Sequence, residues 1–198
     1  MLDQQPLAAP FSFLGTSIAL RPFEPGDVDA LYGYLNHPDL VGRRYVPWEF
    51  SDVLPLSHKQ VQEIYEKWAE GKEELHLAVE LRESQQVIGH ANLEAEWDPH
   101  SPNIALVISP LQQRQGYASM AIGLLMRYLF EHTPAHVVTG WVADWNTVGR
   151  QFLMKNGFQE AGRMRRAGIR QGKYFDLVIH DQLRSEWLQR VGGGAYGA

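Results

Sequence analysis

Asn103-Ile104-Ala105-Leu106-Val107-Ile108-Ser109 runs into Pro110-Leu111-Gln112-Gln113-Arg114-Gln115-Gly116, and that loop runs into Tyr117-Ala118-Ser119-Met120-Ala121-Ile122-Gly123-Leu124-Leu125-Met126. The first piece is an apolar strand and the last a helix reaching Glu131. The polar breaks of the helix, Ser119, Gly123 and Arg127, recur at i, i+4 and i+8. They draw one narrow stripe on an otherwise apolar cylinder, so the helix is expected to be buried on most sides. A strand, a loop and a helix start make an anion site: the first amides of the helix lack intrahelical partners, and the dipole favours negative charge. Gly116 permits close approach to the backbone, small Ala118 leaves room, and Arg114 can add a charge-assisted contact. An ordinary strand-to-helix connection has the same parts, so this loop alone does not decide function.

Downstream, Val137–Ala143 is β-rich, Asn146 can cap a helix from Thr147 to Asn156, and Gly157 can close it in the left-handed conformation. Phe158–Gly162 and Met164–Ile169 read as one strand region, Arg170–Lys173 as a turn, and Tyr174–Leu183 as the returning strand. Upstream, Asp98-Pro99-His100-Ser101-Pro102 is dense in turn residues and preceded by the alternating runs His76–Leu81 and Val87–Trp97. Leu56–Ala69 fits a helix stopped at Gly71. Asp27 can cap another that ends at His37-Pro38, and Ile18–Arg21 reads as a short strand. The order β-α-α-β-β-β-α-β-α-β-β implies one α/β (α+β) domain with a mixed sheet. The expected layout is an extension over 1–15, a domain over 16–190 and a glycine-rich tail over 191–198.

The chain has 198 residues, with 44% hydrophobic and 21% charged, which suits a globular domain with a sizeable core. Cysteine is absent. That excludes disulfides and a cysteine nucleophile and fits a reducing, cytoplasmic setting. No apolar run approaches the ~18 residues of a membrane span, and the first residues lack the pattern of a secretory signal. Residues 1–99 hold 7 basic and 17 acidic side chains, and residues 100–198 hold 11 and 6. A basic half attracts an anionic ligand and an acidic half a cation such as an amine. The net charge of −5 argues against nucleic acid as a partner. His132 and His136 have helical metal-ligand spacing, but Pro134 breaks the helix between them, so no metal is expected. Gly192, Gly194 and Gly197 match a dinucleotide fingerprint with no strand–turn–helix unit to carry it.

Gln113-x-x-Gly116-x-Ala118 resembles the pyrophosphate-binding signature of the GNAT N-acetyltransferase superfamily, Q/R-x-x-G-x-G/A. Asp144-Trp145-Asn146 followed by a helix ending Asn156-Gly157-Phe158 is similar to the family's second block. Ile18-Ala19-Leu20-Arg21-Pro22-Phe23 and Gly172-Lys173-Tyr174-Phe175-Asp176 with Leu183-Arg184-Ser185-Glu186-Trp187 resemble the branch of ribosomal-protein and other N-terminal amine acetyltransferases. The resemblance spans about residues 16–188. It implies a mostly antiparallel sheet with a central splay, flanked by about four helices. It also implies acetyl-CoA as donor and an amine, a peptide N-terminus or a small molecule, as acceptor, with a homodimer plausible.

By the same resemblance, Val107 and Ile108 would present backbone groups to the pantetheine arm and the thioester. Gln113, Arg114, Gln115, Gly116, Tyr117, Ala118 and Ser119 would wrap the diphosphate. Asn146 would bond the arm or position substrate, and Phe152 would pack beside it. With no cysteine there is no acetyl-cysteine intermediate, and direct attack of the amine on the thioester is the economical mechanism. The family's usual acid positions hold Asn103, Leu153 and Gly149 here. Candidates for the proton work are therefore sought on Val87–Trp97, where His90, Asn92, Glu94 and Glu96 share one face. Glu94 is the expected base, with His90 behind it. Arg163, Arg165, Arg166, Arg170 and Lys173 form a run without an acid, suited to an anion on donor or acceptor, or to a solvated hairpin. The loop Val41–Pro55 is the expected substrate-facing segment. The missing acids also admit a second class, a coenzyme A-binding or assembly module without catalysis.

Overall fold

The computed structural model describes residues 13–71, 74–95 and 98–192. Eight strands form one sheet: β1 (Phe13–Leu14), β2 (Ile18–Pro22), β3 (Glu74–Leu81), β4 (Val87–Glu94), β5 (Asn103–Ile108), β6 (Val137–Ala143), β7 (Gln159–Arg170) and β8 (Lys173–Leu183). Five α-helices accompany them: α1 (Val28–Leu35), α2 (His58–Glu70), α3 (Tyr117–His132), α4 (Thr147–Lys155) and α5 (Arg184–Gly192). The sheet order is β1-β2-β3-β4-β5-β6-β8-β7. Every neighbouring pair is antiparallel except β5–β6, which is parallel.

Period-two alternation assigns the two faces. Ile18, Leu20, Leu77, Val79, Ile88, Ala91 and Ile108 pack against Ala121 and Leu125 of α3. Ala78 and Val107, on the opposite face, join Leu31, Leu35, Val61, Ile64 and Trp68 of α1 and α2. A third cluster ties α3 to α4 and α5 through Ile122, Met126, Phe130, Leu153 and Trp187. Gly123 and Arg127 of α3 are exposed, as the stripe requires, while its apolar faces are covered.

Local chemistry sets the helix ends. Ser57 and Gln60 form a reciprocal capping box on α2, and Gly71 closes it at φ 57°. Asp27 does not cap α1 with its side chain. Its carboxylate accepts both arms of the Arg21 guanidinium, at 2.7 and 2.9 Å, and the Glu24 amide.

Two elements differ from the sequence expectation. Phe13 and Leu14 pair with Leu20 and Ala19, and Phe13 packs edge-on to Tyr128, so the sheet begins inside the stretch assigned to an extension. At the other end, α5 continues to Gly192 and makes five α-helices rather than about four. One face is anchored by Trp187, 5.6 Å from Phe130. A nine-residue helix with so few buried side chains carries too weak a periodicity to be read from sequence. Met1–Ser12 and the rest of the glycine-rich tail lie outside the described residues.

Candidate active site at the strand divergence

β5 and β6 register at a single pair, Asn103 with Thr139. The Thr139 amide donates to the Pro102 carbonyl at 2.9 Å. Beyond it the two parallel strands share no pairing, so a wedge opens between them toward Ile108 and Ala143. On its other edge β5 stays paired with β4, and the Ser109 amide donates to Ile88 O at 2.7 Å. Alternation along an antiparallel ladder then turns the backbone groups of Leu106 and Ile108 toward the wedge and those of Val107 toward β4. A methyl on Gly89 would collide with the Val107 carbonyl oxygen, which confirms that direction. Leu106 rather than Val107 thus turns its backbone groups toward the wedge. It was hidden from sequence because strand polarity is a property of pairing.

At the open end of the wedge, Gln113 folds back and donates from Nε2 to Ile108 O at 3.0 Å. This clasp fixes the loop on the end of β5. Arg114 (φ 63°) and Gly116 (φ 86°) are both left-handed, and Gln115 donates to the Gln112 side chain at 3.1 Å. Among the described residues, the amides of Gly116, Tyr117, Ala118 and Ser119 donate to no protein acceptor. No atom lies within 4 Å of the place where a Gly116 Cβ would stand. Free amides, a helix start and open space beside glycine make an anion cradle. Tyr117 and Ala118 also pack against the α3 core.

On the β6 side, Asn146 caps α4 by accepting the Gly149 amide at 3.1 Å. A Cβ on Gly149 would stand 2.7 Å from Asn146 Nδ2 and 3.1 Å from Val142 Cγ1, so a side chain there would push the capping amide aside. Leu153 is core, packed against Gly140 of β6, and Phe152 packs into the same cluster. The arrangement leaves neither position with a side-chain acid.

The α1–α2 side of the wedge is roofed by residues 41–55. The Arg44 amide donates to Asp52 at 2.9 Å, its buried guanidinium donates to Leu54 O, and the Gly42 amide donates to Asp52 O at 3.0 Å. Burial raises the Asp52 pKa and the Arg44 amide opposes the rise. Tyr45, at φ 53° in a region rare for non-glycine residues, reaches over the wedge and donates to Trp141 O at 2.9 Å. Its hydroxyl is pushed up to about 12 by burial and by the charges of Glu94 and Asp52, so it stays protonated. Tyr45 escaped the sequence reading because nothing local marks a loop tyrosine that crosses to another strand.

His90, Asn92 and Glu94 share one face as expected, but α1 and α2 cover most of it. His90 is fully buried, with Nδ1 2.9 Å from the Tyr34 hydroxyl and its ring 4.7 Å from Trp68. Burial, then the nearby His76, lowers its pKa to about 3. So weak a base under a helix layer is a packing residue, which corrects the proton-accepting role read from sequence. Asn92 is buried beside His76. Glu94 is only half-buried and stands at the closed end of the wedge, opposite Asn103, whose Nδ2 donates to it at 3.2 Å. Glu96 lies outside the described residues. No group of three metal-ligating side chains occurs among the described residues, and none of their helices is long and apolar enough to cross a membrane.

A parallel pair that splits beside a helix start with unbonded amides is the arrangement that the sequence resemblance implies. The Acetyltransferase (GNAT) domain profile matches residues 17–159, and the chain belongs to that family. An uncharacterized N-acetyltransferase, YnaD of Bacillus subtilis, is 23% identical over 173 residues, covering 86% of this chain and 95% of that protein. The spermidine N(1)-acetyltransferase of Vibrio cholerae is 25% identical over 179 residues, covering 89% and 99%. A GNAT-family acetyltransferase from Bacillus anthracis superposes with a TM-score of 0.76 at 19% identity over 88% of this chain and 99% of that one. The Vibrio cholerae spermidine enzyme in complex with CoA and spermine gives 0.73 at 23%, with 88% and 99% covered.

Proposed function

We propose that the chain moves an acetyl group from acetyl-CoA to a primary amine, by direct attack in a ternary complex. The observation that carries this reading is the wedge: one pair, Asn103–Thr139, then divergence, with the free amides of Gly116 to Ser119 at its open end. In this reading the diphosphate lies on those amides, and the pantetheine arm runs along the edge of β5, bonding Leu106 and Ile108 as a missing strand would. The amine nitrogen attacks the thioester carbonyl, the C–N bond forms, and backbone N–H groups of β5 hold the oxyanion. The C–S bond then breaks, the amine gives up its proton and the thiolate takes one. In this reading Glu94, at the closed end of the wedge, accepts the amine proton directly or through water. Holding both reactants in the wedge supplies a further part of the rate.

The acceptor is an amine on a small molecule or a peptide N-terminus. Asn103, Gly149 and Leu153 at the usual acid positions favour a second reading, a module that binds coenzyme A without transfer. Calorimetric titration with coenzyme A tests the donor site. Tight binding that drops at least tenfold in Gly116→Val, with the fold retained, supports it, and equal binding by both proteins removes it. Thiol release from acetyl-CoA across an amine panel then separates the two readings: release that depends on a particular amine supports transfer, and binding without release supports the module.

A further inference from the structure

The guanidinium of Arg170 lies 3.8 Å from the centroid of the Trp145 ring. Its Nη1 stands 3.1 Å from where a Cβ on Gly42 would be. Arg170 is at the tip of the β7–β8 hairpin, Trp145 is on the loop after β6, and Gly42 is on the roof loop, so three segments meet at this one cation. Among the described residues, Arg21, Arg127, Arg150 and Arg163 are in ion pairs, and Arg43, Arg44, Arg82 and Arg184 donate to main-chain carbonyls. Arg170 makes neither contact, as is true of Arg114, Arg165, Arg166 and Arg190, but its charge acts on Asp52 of the roof loop.

The surroundings hold it in place. Between Met164 and Gly168 the β7 register slips against β8, Arg166 takes φ 52°, and its amide donates to Asp176 at 2.8 Å. Such a bulge re-aims the end of a hairpin. Gly168 has no side chain because the Phe175 ring lies across it, and Phe175 meets Trp145 edge-on at 6.2 Å. Gly168, Phe175, Trp145 and Arg170 thus adjoin in sequence, each supporting the next. A stacked guanidinium keeps its donor edge free, and that planar fork matches a carboxylate.

Position separates this cation from the donor loop. Residues 116–119 lead into α3 on one face of the sheet, whereas Arg170 touches the roof loop, which belongs with α1 and α2 on the other. Of the acids on its side, Asp52 accepts the Arg44 amide and also feels the Arg170 charge, and Glu94 is bonded to Asn103. On the hairpin itself, Asp176 and Glu160 are both engaged by Arg163.

We infer that Arg170 is a specificity-determining residue that binds a carboxylate on the acceptor, so that the substrate is an amine carrying a carboxylate and not a polyamine. This inference rests on the acyl-transfer reading. A free amino acid and a peptide with an acidic residue beside its N-terminus offer the same chemistry.

The test measures kcat/KM for matched acceptors: free amino acids and their amides, peptides with acidic or neutral second residues, and spermidine. The wild-type chain is compared with Arg170→Ala, Arg170→Lys and Arg170→Glu. The expected result is at least a tenfold preference for the carboxylate member of a pair, largely lost in Arg170→Ala, reversed in Arg170→Glu and partly kept in Arg170→Lys. The KM for acetyl-CoA should stay within twofold throughout. No preference in the wild type, or a preference for spermidine, overturns the inference while leaving acyl transfer standing. So does an Arg170→Ala protein that loses affinity for coenzyme A but not for dephospho-coenzyme A, because the cation then serves the donor. If no amine is turned over, acyl transfer itself fails, and titrating each pair into the coenzyme A-bound protein still reads whether Arg170 selects a carboxylate.

Discussion

The Tyr45 hydroxyl donates to the main-chain carbonyl of Trp141 at 2.9 Å, which joins the roof loop to β6 across the wedge. Tyr45→Phe keeps the ring and deletes this bond. It should cost about 1 kcal/mol of stability. The stronger effect falls on the acceptor, whose KM should rise several-fold while coenzyme A affinity holds. Thermal melting and steady-state kinetics check both. A variant whose donor affinity falls instead would place the tyrosine on the wrong substrate.

Asn146 holds the first turn of α4 by accepting the Gly149 amide. Asn146→Ala should lower stability by about 1 kcal/mol, and Asn146→Asp, which keeps the acceptor oxygen, should restore most of it. If Asn146 serves only the helix, kcat will follow folded fraction in both. A drop in kcat in a fully folded Asn146→Asp protein shows that the free amide also touches substrate.

Glu94→Gln preserves the bond geometry with Asn103 and removes the proposed proton acceptor. It should reduce kcat by roughly 10²-fold or more, with the KM for acetyl-CoA unchanged. Activity within twofold of wild type would mean that water and substrate handle the proton unaided.

His90 has a folded pKa of about 3, against roughly 6.5 when unfolded. The folded state therefore holds fewer protons, and this contribution is complete above pH ~6.5 and declines as pH falls toward 3. At its fullest it is on the order of 3–5 kcal/mol. Burial shifts His76 and His180 the same way. Melting temperature should fall as pH drops from 6.5 to 4, and His90→Gln should flatten that slope even if it is less stable at pH 7.5. An unaltered slope would assign the acid sensitivity elsewhere.

Most of the architecture was legible because its signals are local. The stripe on α3, the Asn146 cap, the Gly71 stop and the alternation of β4 each depend on residues a few positions apart. The strand–loop–helix junction around Gly116 was legible for the same reason, since its parts lie consecutively. What escaped depends on pairing between distant segments: that Leu106 rather than Val107 faces the wedge, that Tyr45 reaches Trp141, and that α2 and α1 bury His90. His90 illustrates the limit. Alternation put it correctly on the face with Glu94, but whether that face meets solvent, substrate or a helix is decided by residues 31–68.

The single Asn103–Thr139 pair has a mechanical meaning. The sheet is two ladders, β1 to β5 and β6-β8-β7, paired only at Asn103–Thr139 and otherwise joined by the His136 and Val137 amides on His100 O, by Tyr45 and by the side chains of α3 and α4. A donor bonded along the seam would act as a temporary ninth strand and couple the halves. Nucleotide occupancy would then register far from the wedge, as slower amide exchange along the inner edges of β5 and β6 and as a higher melting temperature.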